Sequence, residues 1–334
     1  MTYLKTFPHA TSRLSAAQSH RIAEQLGNRF RDKLRKLDIN QDLSSQLADI
    51  YVPLASSLAV LAKQQQGPLI VGINGAQGTG KSTLCRLLDT ILAEGFGLKV
   101  VSVSIDDLYY TRAERKKLAE QVHPLFATRG VPGTHDVGLG LALLDKLVAQ
   151  EAGRQVAIPV FDKAIDDRAS IEKWPCTSLP LDLILFEGWC VGARPQDEPA
   201  LISVVNTLEA NEDQDGTWRR YVNRKLADDY AELFEQLDLL IMLKIPAMEC
   251  VLEWRSLQER KLAAQREEAK ATHIMTPAEL DRFIMHYERL TRHMLSEMPN
   301  HADIVLRLDR DHKIDGVRIN RRRDSAAGAQ KGQN

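Results

Sequence analysis

An α/β fold, with a parallel sheet flanked by helices and a helical extension in front of it, is predicted by three observations. Short apolar runs recur along the chain, with helical stretches between most of them. The run Gly75-Ala76-Gln77-Gly78-Thr79-Gly80-Lys81-Ser82 satisfies G-x-x-x-x-G-K-S and lies between an apolar run and an amphipathic segment. Residues 11–65 carry helical apolar spacing before any strand pattern begins.

The extension, residues 1–67, is read from Ile22, Leu26, Phe30 and Leu34, then from Leu47, Ile50, Leu54, Leu58 and Leu61. Gly27 and Pro53 interrupt it, and Gln64-Gln65-Gln66-Gly67-Pro68 ends it. An α/β domain then occupies 68–320. Its first strand is Leu69 to Ile73, and its first helix runs from Thr83 to Leu92 with Gly95 and Gly97 as stops. Further strands are expected at 100–105, 181–186, 239–243 and 304–306, all parallel with right-handed crossovers. A charged helical pattern fills 247–271, and the basic, then Ala/Gly/Gln-rich tail from 321 to 334 reads as a disordered end.

The chain has 334 residues, 44% hydrophobic and 27% charged, with a formal net charge of −1. That balance permits a sizeable core and gives no global field that would draw nucleic acid or an acidic membrane. Cys85, Cys176, Cys190 and Cys250 lack C-x-x-C spacing, which fits reduced thiols rather than a disulfide framework or a zinc site. No apolar run approaches the roughly 20 residues that span a bilayer, and the first residues do not begin a signal peptide. The expectation is a soluble, cytoplasmic protein without nucleic-acid or membrane partners.

The glycine-rich run is a phosphate-binding loop of the NTPase type. Its glycines let successive N–H groups turn inward toward an anion, and the helix that follows adds its positive end. Gly75 through Thr83 are therefore assigned to ATP, with Lys81 reaching the β- and γ-phosphates and the Ser82 hydroxyl holding Mg²⁺. In a parallel sheet, ligands gather at the carboxyl ends of the strands. Asp106-Asp107 follows the second strand, where a carboxylate can take a proton from an acceptor hydroxyl; Asp106 is the candidate base and Asp107 a turn residue. Glu187 follows the third strand and is a second candidate Mg²⁺ group, acting through water.

Between those strands lie polar loops, Arg129-Gly130-Val131-Pro132-Gly133-Thr134-His135-Asp136 and Pro159 to Lys163, then Arg168. Arg129, His135, Lys163 and Arg168 are candidates to bind an anionic acceptor. Asp136 precedes an apolar helical run and reads as its N-cap. Arg255 and Arg260, after the fourth strand, are candidates for a lid near 250–275 that stabilises charge on the transferring phosphoryl group.

At these residues the chain resembles the plant- and fungal-type D-glycerate 3-kinases. The resemblance rests on Gly75 to Ser82, Ser104-Ile105-Asp106-Asp107-Leu108-Tyr109, Arg129-Gly130 to His135-Asp136, Phe161-Asp162-Lys163 and Leu185 to Trp189. It extends through Val222 to Leu226 and Val251 to Arg255, covering about residues 68–314. The larger group includes uridine kinase, pantothenate kinase and phosphoribulokinase. The resemblance implies a base at Asp106, a lid near Arg255 to Arg260, and acceptor contacts from Tyr109 and Asp162 as well as the cations. Two stretches depart from it: 163–168 is shorter than the glycine-containing loop of glycerate kinases, and the lid is more charged. Both lie where acceptor choice is set.

The reading is therefore an ATP-dependent kinase acting on a hydroxyl of a small acid, D-glycerate first, with Mg²⁺. A same-fold kinase for a nucleoside or pantothenate-like acceptor is the alternative. A non-catalytic ATP-binding regulator is the third reading; the chain carries neither N-K-x-D nor an L-S-G-G-Q-like signature.

Overall fold

The computed structural model describes residues 2–39, 43–266 and 276–320, with the side chains of 258–266 outside that description. Strands β1 (Leu69–Gly75), β2 (Val100–Ser104), β3 (Gln155–Ala157), β4 (Phe161–Asp162), β5 (Asp167–Arg168), β6 (Cys176–Ser178), β7 (Leu183–Gly188), β8 (Leu239–Lys244), β9 (Ile304–Leu308) and β10 (Ile314–Ile319) follow one another along the chain. The main sheet has the order β10-β9-β8-β1-β7-β2. Its strands run parallel except for β10, which is antiparallel to β9. The all-parallel expectation is corrected at that edge, where β10 returns through a short turn after β9 and pairs also with Leu4 in an isolated bridge.

The strands that carry the site are near-continuous apolar runs because helices cover both faces. Along β7, Leu183 and Leu185 join one apolar cluster while Ile184 and Phe186 join the other. The first cluster is roofed by α1 (His9–Ser12), α2 (Ala16–Lys36), α3 (Ser44–Gln46), α4 (Val52–Ala62) and α5 (Lys81–Phe96). Phe30, Leu54 and Leu58 of the extension lie in that cluster with Leu88, Ile91 and Leu92 of α5, so the extension shares a core with the helix that follows the phosphate loop. On the opposite face come α6 (Arg112–Gln121), α7 (Val137–Val148), α8 (Thr207–Glu212), α9 (Thr217–Ala227), α10 (Asp229–Glu235) and α12 (Pro277–Glu297), of which α7, α9, α10 and α12 supply Leu144, Val222, Leu233 and Leu290 to the second cluster, while α11 (Glu249–Arg266) supplies Cys250, Val251 and Trp254 to the first.

One sequence expectation is corrected here. Residues 44–62, joined through a π-helical turn at Leu47–Tyr51, form a helix long and apolar enough by length and composition to cross a membrane. Its most apolar window is 72% buried, so the apolarity belongs to the core of this fold. The four cysteines are free thiols, with Cys85, Cys190 and Cys250 buried and Cys176 exposed.

Register brings the chemistry together. Glu187 on β7 lies abreast of Ile73 on β1 and of Ser104 on β2, so the carboxyl ends of the three strands open onto one edge. Glu187 is the penultimate residue of β7 rather than the first residue after it, because the strand runs two residues beyond its apolar stretch. Asn74, buried at the end of β1, donates to Trp189 O and Val191 O, each at 2.9 Å, and so ties the loop after β7 to the loop after β1.

Candidate active site

The phosphate loop is set by its glycines. Gly78 and Gly80 have φ of +80° and +86°, a backbone region that β-carbons disfavour. At Gly78 a β-carbon would also lie 2.9 Å from Cβ of Trp254. Helix α5 starts at Lys81 with no side-chain cap on Gly80, leaving its first N–H groups to face an anion. Lys81 Nζ donates to Ala76 O across the loop at 3.2 Å, and Thr79 Oγ1 donates to the same oxygen at 2.8 Å. Ser82 Oγ donates to Glu187 Oε1 at 2.6 Å. Two residues, one from the first turn of α5 and one from β7, both singled out as metal groups by the sequence, are thus in direct contact.

The loop is braced from outside. His312, from the turn between β9 and β10, donates through Nε2 to Gly78 O at 3.0 Å, and its ring lies 3.9 Å from that of Trp254 on α11. Neither brace was read from the sequence, since the partners are distant in the chain. Gln77 adds an unforeseen feature: both its amide atoms are buried with no hydrogen-bond partner among the described residues.

Across the edge, Ser104 Oγ accepts from Asp106 N at 3.3 Å and starts a 3₁₀ turn over Ile105–Leu108. Asp106 then points into the cleft. One carboxylate oxygen accepts from Lys163 Nζ at 2.7 Å and the other from Tyr109 Oη at 3.0 Å. Burial pushes this carboxyl up, but Lys163, with smaller help from His135 and Lys81, outweighs it and holds the group at about 2. Asp107 turns the other way and accepts from Phe161 N at 3.0 Å; burial above all raises it to about 6. The two aspartates therefore face different ways, one into the cleft and one into a loop brace.

Tyr109 stacks on His135 at 4.4 Å and meets Phe161 edge-on at 5.3 Å. Tyr230 Oη accepts from Gly133 N at 3.0 Å and lies within hydrogen-bond reach of His135 Nδ1, at 2.6 Å. His135 Nε2 is buried without a partner among the described residues. Burial pulls His135 down to about 4, so the ring is neutral at physiological pH.

The predicted cations divide into two sets. Lys163 sits at the tip of the β4–β5 hairpin, on Asp106. Arg129 and Arg168 are anchors as placed. Arg129 pairs with Asp166, and its guanidinium lies 5.5 Å from the Phe161 ring. Arg168 donates to Tyr109 O at 3.0 Å and reaches Asp136 Oδ2 at 3.3 Å, while its Nε is buried without a partner among the described residues. Asp162 Oδ1 accepts from Ala164 N at 2.9 Å and shapes the hairpin turn. Asp136 caps α7 by accepting from Leu139 N at 2.9 Å.

Asp166 is the residue the sequence reading missed. It accepts from Arg115 at 2.9 Å as well as from Arg129, and Arg115 is among the most buried side chains of the molecule. Arg115 also donates to Tyr110 O and Ala127 O, at 3.2 and 3.3 Å. Its sequence setting, a charged amphipathic helix, gives no hint of burial. Tyr287 on α12 donates to Arg129 O at 3.1 Å, and Trp189 Nε1 donates to Gly130 O at 2.9 Å, pinning the 129–135 loop over the cleft. Gly130, at φ +142°, gives Tyr287 the room to approach. On the lid side, Arg255 of α11 lies over the Phe283 ring at 5.6 Å. The Arg260 side chain, part of the lid to residue 275 and the tail 321–334 lie outside the described residues.

Comparison with known proteins fits this geometry. No protein-family profile matches the chain. An uncharacterised kinase of Schizosaccharomyces pombe, mug58, is 36% identical over 251 residues, which span 73% of this chain and 87% of the yeast protein. The chloroplastic D-glycerate 3-kinase of Arabidopsis thaliana is 30% identical over 66% of this chain and 46% of the plant protein. A D-glycerate 3-kinase structure from Cryptococcus neoformans shares the fold, with a TM-score of 0.69 over 80% of this chain and 97% of that one at 23% identity. With a phosphate loop, a facing carboxylate and relatives of this kind, the chain belongs to the P-loop kinase family of mug58, and it is an ATP-dependent phosphotransferase.

Proposed function

We propose that this kinase transfers the γ-phosphoryl group of ATP to a hydroxyl of a small hydroxy acid, with D-glycerate the first candidate. The observation that carries the reading is Asp106, held at the carboxyl edge of the sheet beside the phosphate loop and beneath a hairpin that carries a lysine. Phosphoryl transfer is largely positioning and charge stabilisation. Lys81 and the N–H groups of the loop hold the β- and γ-phosphates. Asp106 accepts the hydrogen bond of the acceptor hydroxyl and takes its proton as the new P–O bond forms. A carboxyl held near 2 is a weak base, which suits a loose transition state in which the proton leaves late.

Ser82 and Glu187 fit Mg²⁺: a hydroxyl and a carboxylate in contact beside the phosphate loop are the hard oxygen groups this ion takes, with phosphate and water completing its shell. When bound, the ion neutralises charge on the phosphates. The neutral His135 offers its unpartnered Nε2 to the acceptor, and Lys163 offers a cation to an acidic one. Relatives that include a D-glycerate 3-kinase support the choice of acceptor class.

The test is purified protein with ATP and Mg²⁺ against D-glycerate, other hydroxy acids, pantothenate and uridine, with product mass recorded. Phosphorylated D-glycerate is expected. Turnover of uridine with none of any hydroxy acid would overturn the acidic-acceptor reading.

A further inference from the structure

Lys163 already holds one oxygen of the candidate base. Its ammonium group lies 2.7 Å from Asp106 Oδ2 while the other carboxylate oxygen is taken by Tyr109 Oη, so both oxygens of the base have donors before any acceptor arrives. We propose that Lys163 is a specificity-determining residue that holds Asp106 until the acceptor displaces it, and so excludes water as a phosphoryl acceptor. The inference rests on the reading of Asp106 as the catalytic base.

The hairpin is built for this exchange. Its root is fixed: Asp107 accepts from Phe161 N, Arg168 donates to Tyr109 O, and Asp166 is gripped by Arg115 and Arg129. The Lys163 side chain, by contrast, is 59% exposed and can leave Asp106 by rotating its own bonds. Lysine makes a single-point contact, whereas an arginine fork would hold both carboxylate oxygens. The lysine half of the pair is free to move into solvent, so a well-placed hydroxyl with its own binding contacts can compete for the carboxylate, while a lone water, lacking such contacts, competes less well. Once displaced, the ammonium group stays beside the cleft as a counter-charge for an acidic acceptor.

The side reaction it prevents is simple hydrolysis. A water oxygen attacks the γ-phosphorus, the bond from that phosphorus to the β,γ-bridging oxygen breaks, and ADP leaves. One water proton passes to Asp106 and then to solvent, giving ADP and phosphate. ATP is the co-substrate of the enzyme, and water is always present. The contact with Lys163 lowers the proton affinity of Asp106 and occupies one lone pair of Oδ2, which opposes the proton transfer from water.

Lys163→Met tests the proposal in the full-length protein, with ADP release and phosphate release measured with ATP and Mg²⁺ and no acceptor. The exposed position leaves the fold intact, which a thermal melt checks. Acceptor-free hydrolysis is expected to rise about tenfold or more over wild type, within the range a positioned base contributes. In Lys163→Met combined with Asp106→Asn, hydrolysis is expected to return to the wild-type level or below. Unchanged hydrolysis in the single variant overturns the proposal, as does a raised rate that persists in the double variant. The readout needs no acceptor, so it is separate from the acceptor screen: failure to find a substrate there leaves this measurement intact, and failure here leaves a D-glycerate kinase whose Lys163 is an acceptor contact only.

Discussion

At the residue scale, the two adjacent aspartates show how neighbouring groups of one type acquire different chemistry. Asp106 shares its charge with Lys163 and stays ionised at every working pH, and His135 stays neutral over the same range. Neither group should therefore shape a pH–rate profile near neutrality. Asp107 does titrate near that range, because burial raises it to about 6. Below that value it is neutral, which suits its buried place; as pH rises through it, the carboxyl ionises against the cost of burial and the folded state loses stability. Stability in denaturant unfolding is expected to decline as pH rises through about 6, and Asp107→Asn, which keeps an acceptor oxygen without the titration, should flatten that decline. A decline unchanged in the variant would assign it to another group.

At the scale of elements, the β4–β5 hairpin is the part that departs most from what the sequence allowed. Strand β1, the phosphate loop and α5 were legible because their grammar is local: an apolar run, glycines at fixed spacing, then helical periodicity. Asp106 was legible for the same reason, as the acidic residue at a strand end. The hairpin was read as polar loop because strands of two residues have no period to detect. Its buckle was hidden as well, since Arg115 and Asp166 are 51 residues apart and nothing nearby in the chain marks either. Asp166 sits at φ +56°, which Asn tolerates, so Asp166→Asn removes charge without adding backbone strain. The buried Arg115 loses its carboxylate, and a loss of roughly 1–3 kcal/mol is expected in denaturant unfolding, tempered by the partly exposed position of Asp166. The acceptor KM should rise with it while ATP affinity holds. Equal weakening of ATP and acceptor would show instead that the hairpin supports the whole cleft.

At the scale of the molecule, the sheet is what turns scattered motifs into a site. Residues 75, 106 and 187 are far apart in the chain, yet parallel strands in register set them on one edge, and the extension backs α5 so that the loop before it rests on packed core. That arrangement followed from alternating strand and helix patterns. The antiparallel β10 and the Leu4 bridge did not, because a short edge pairing leaves little trace in composition. The central claim is that this edge joins a nucleotide to an acceptor through Asp106. The most direct measurement is the rate of phosphorylated product formation from ATP and the best acceptor, with wild type and Asp106→Asn side by side and ATP affinity determined for both. ATP should bind the two alike, while transfer falls by about a hundredfold or more in the variant. Transfer by Asp106→Asn at close to the wild-type rate would contradict the account.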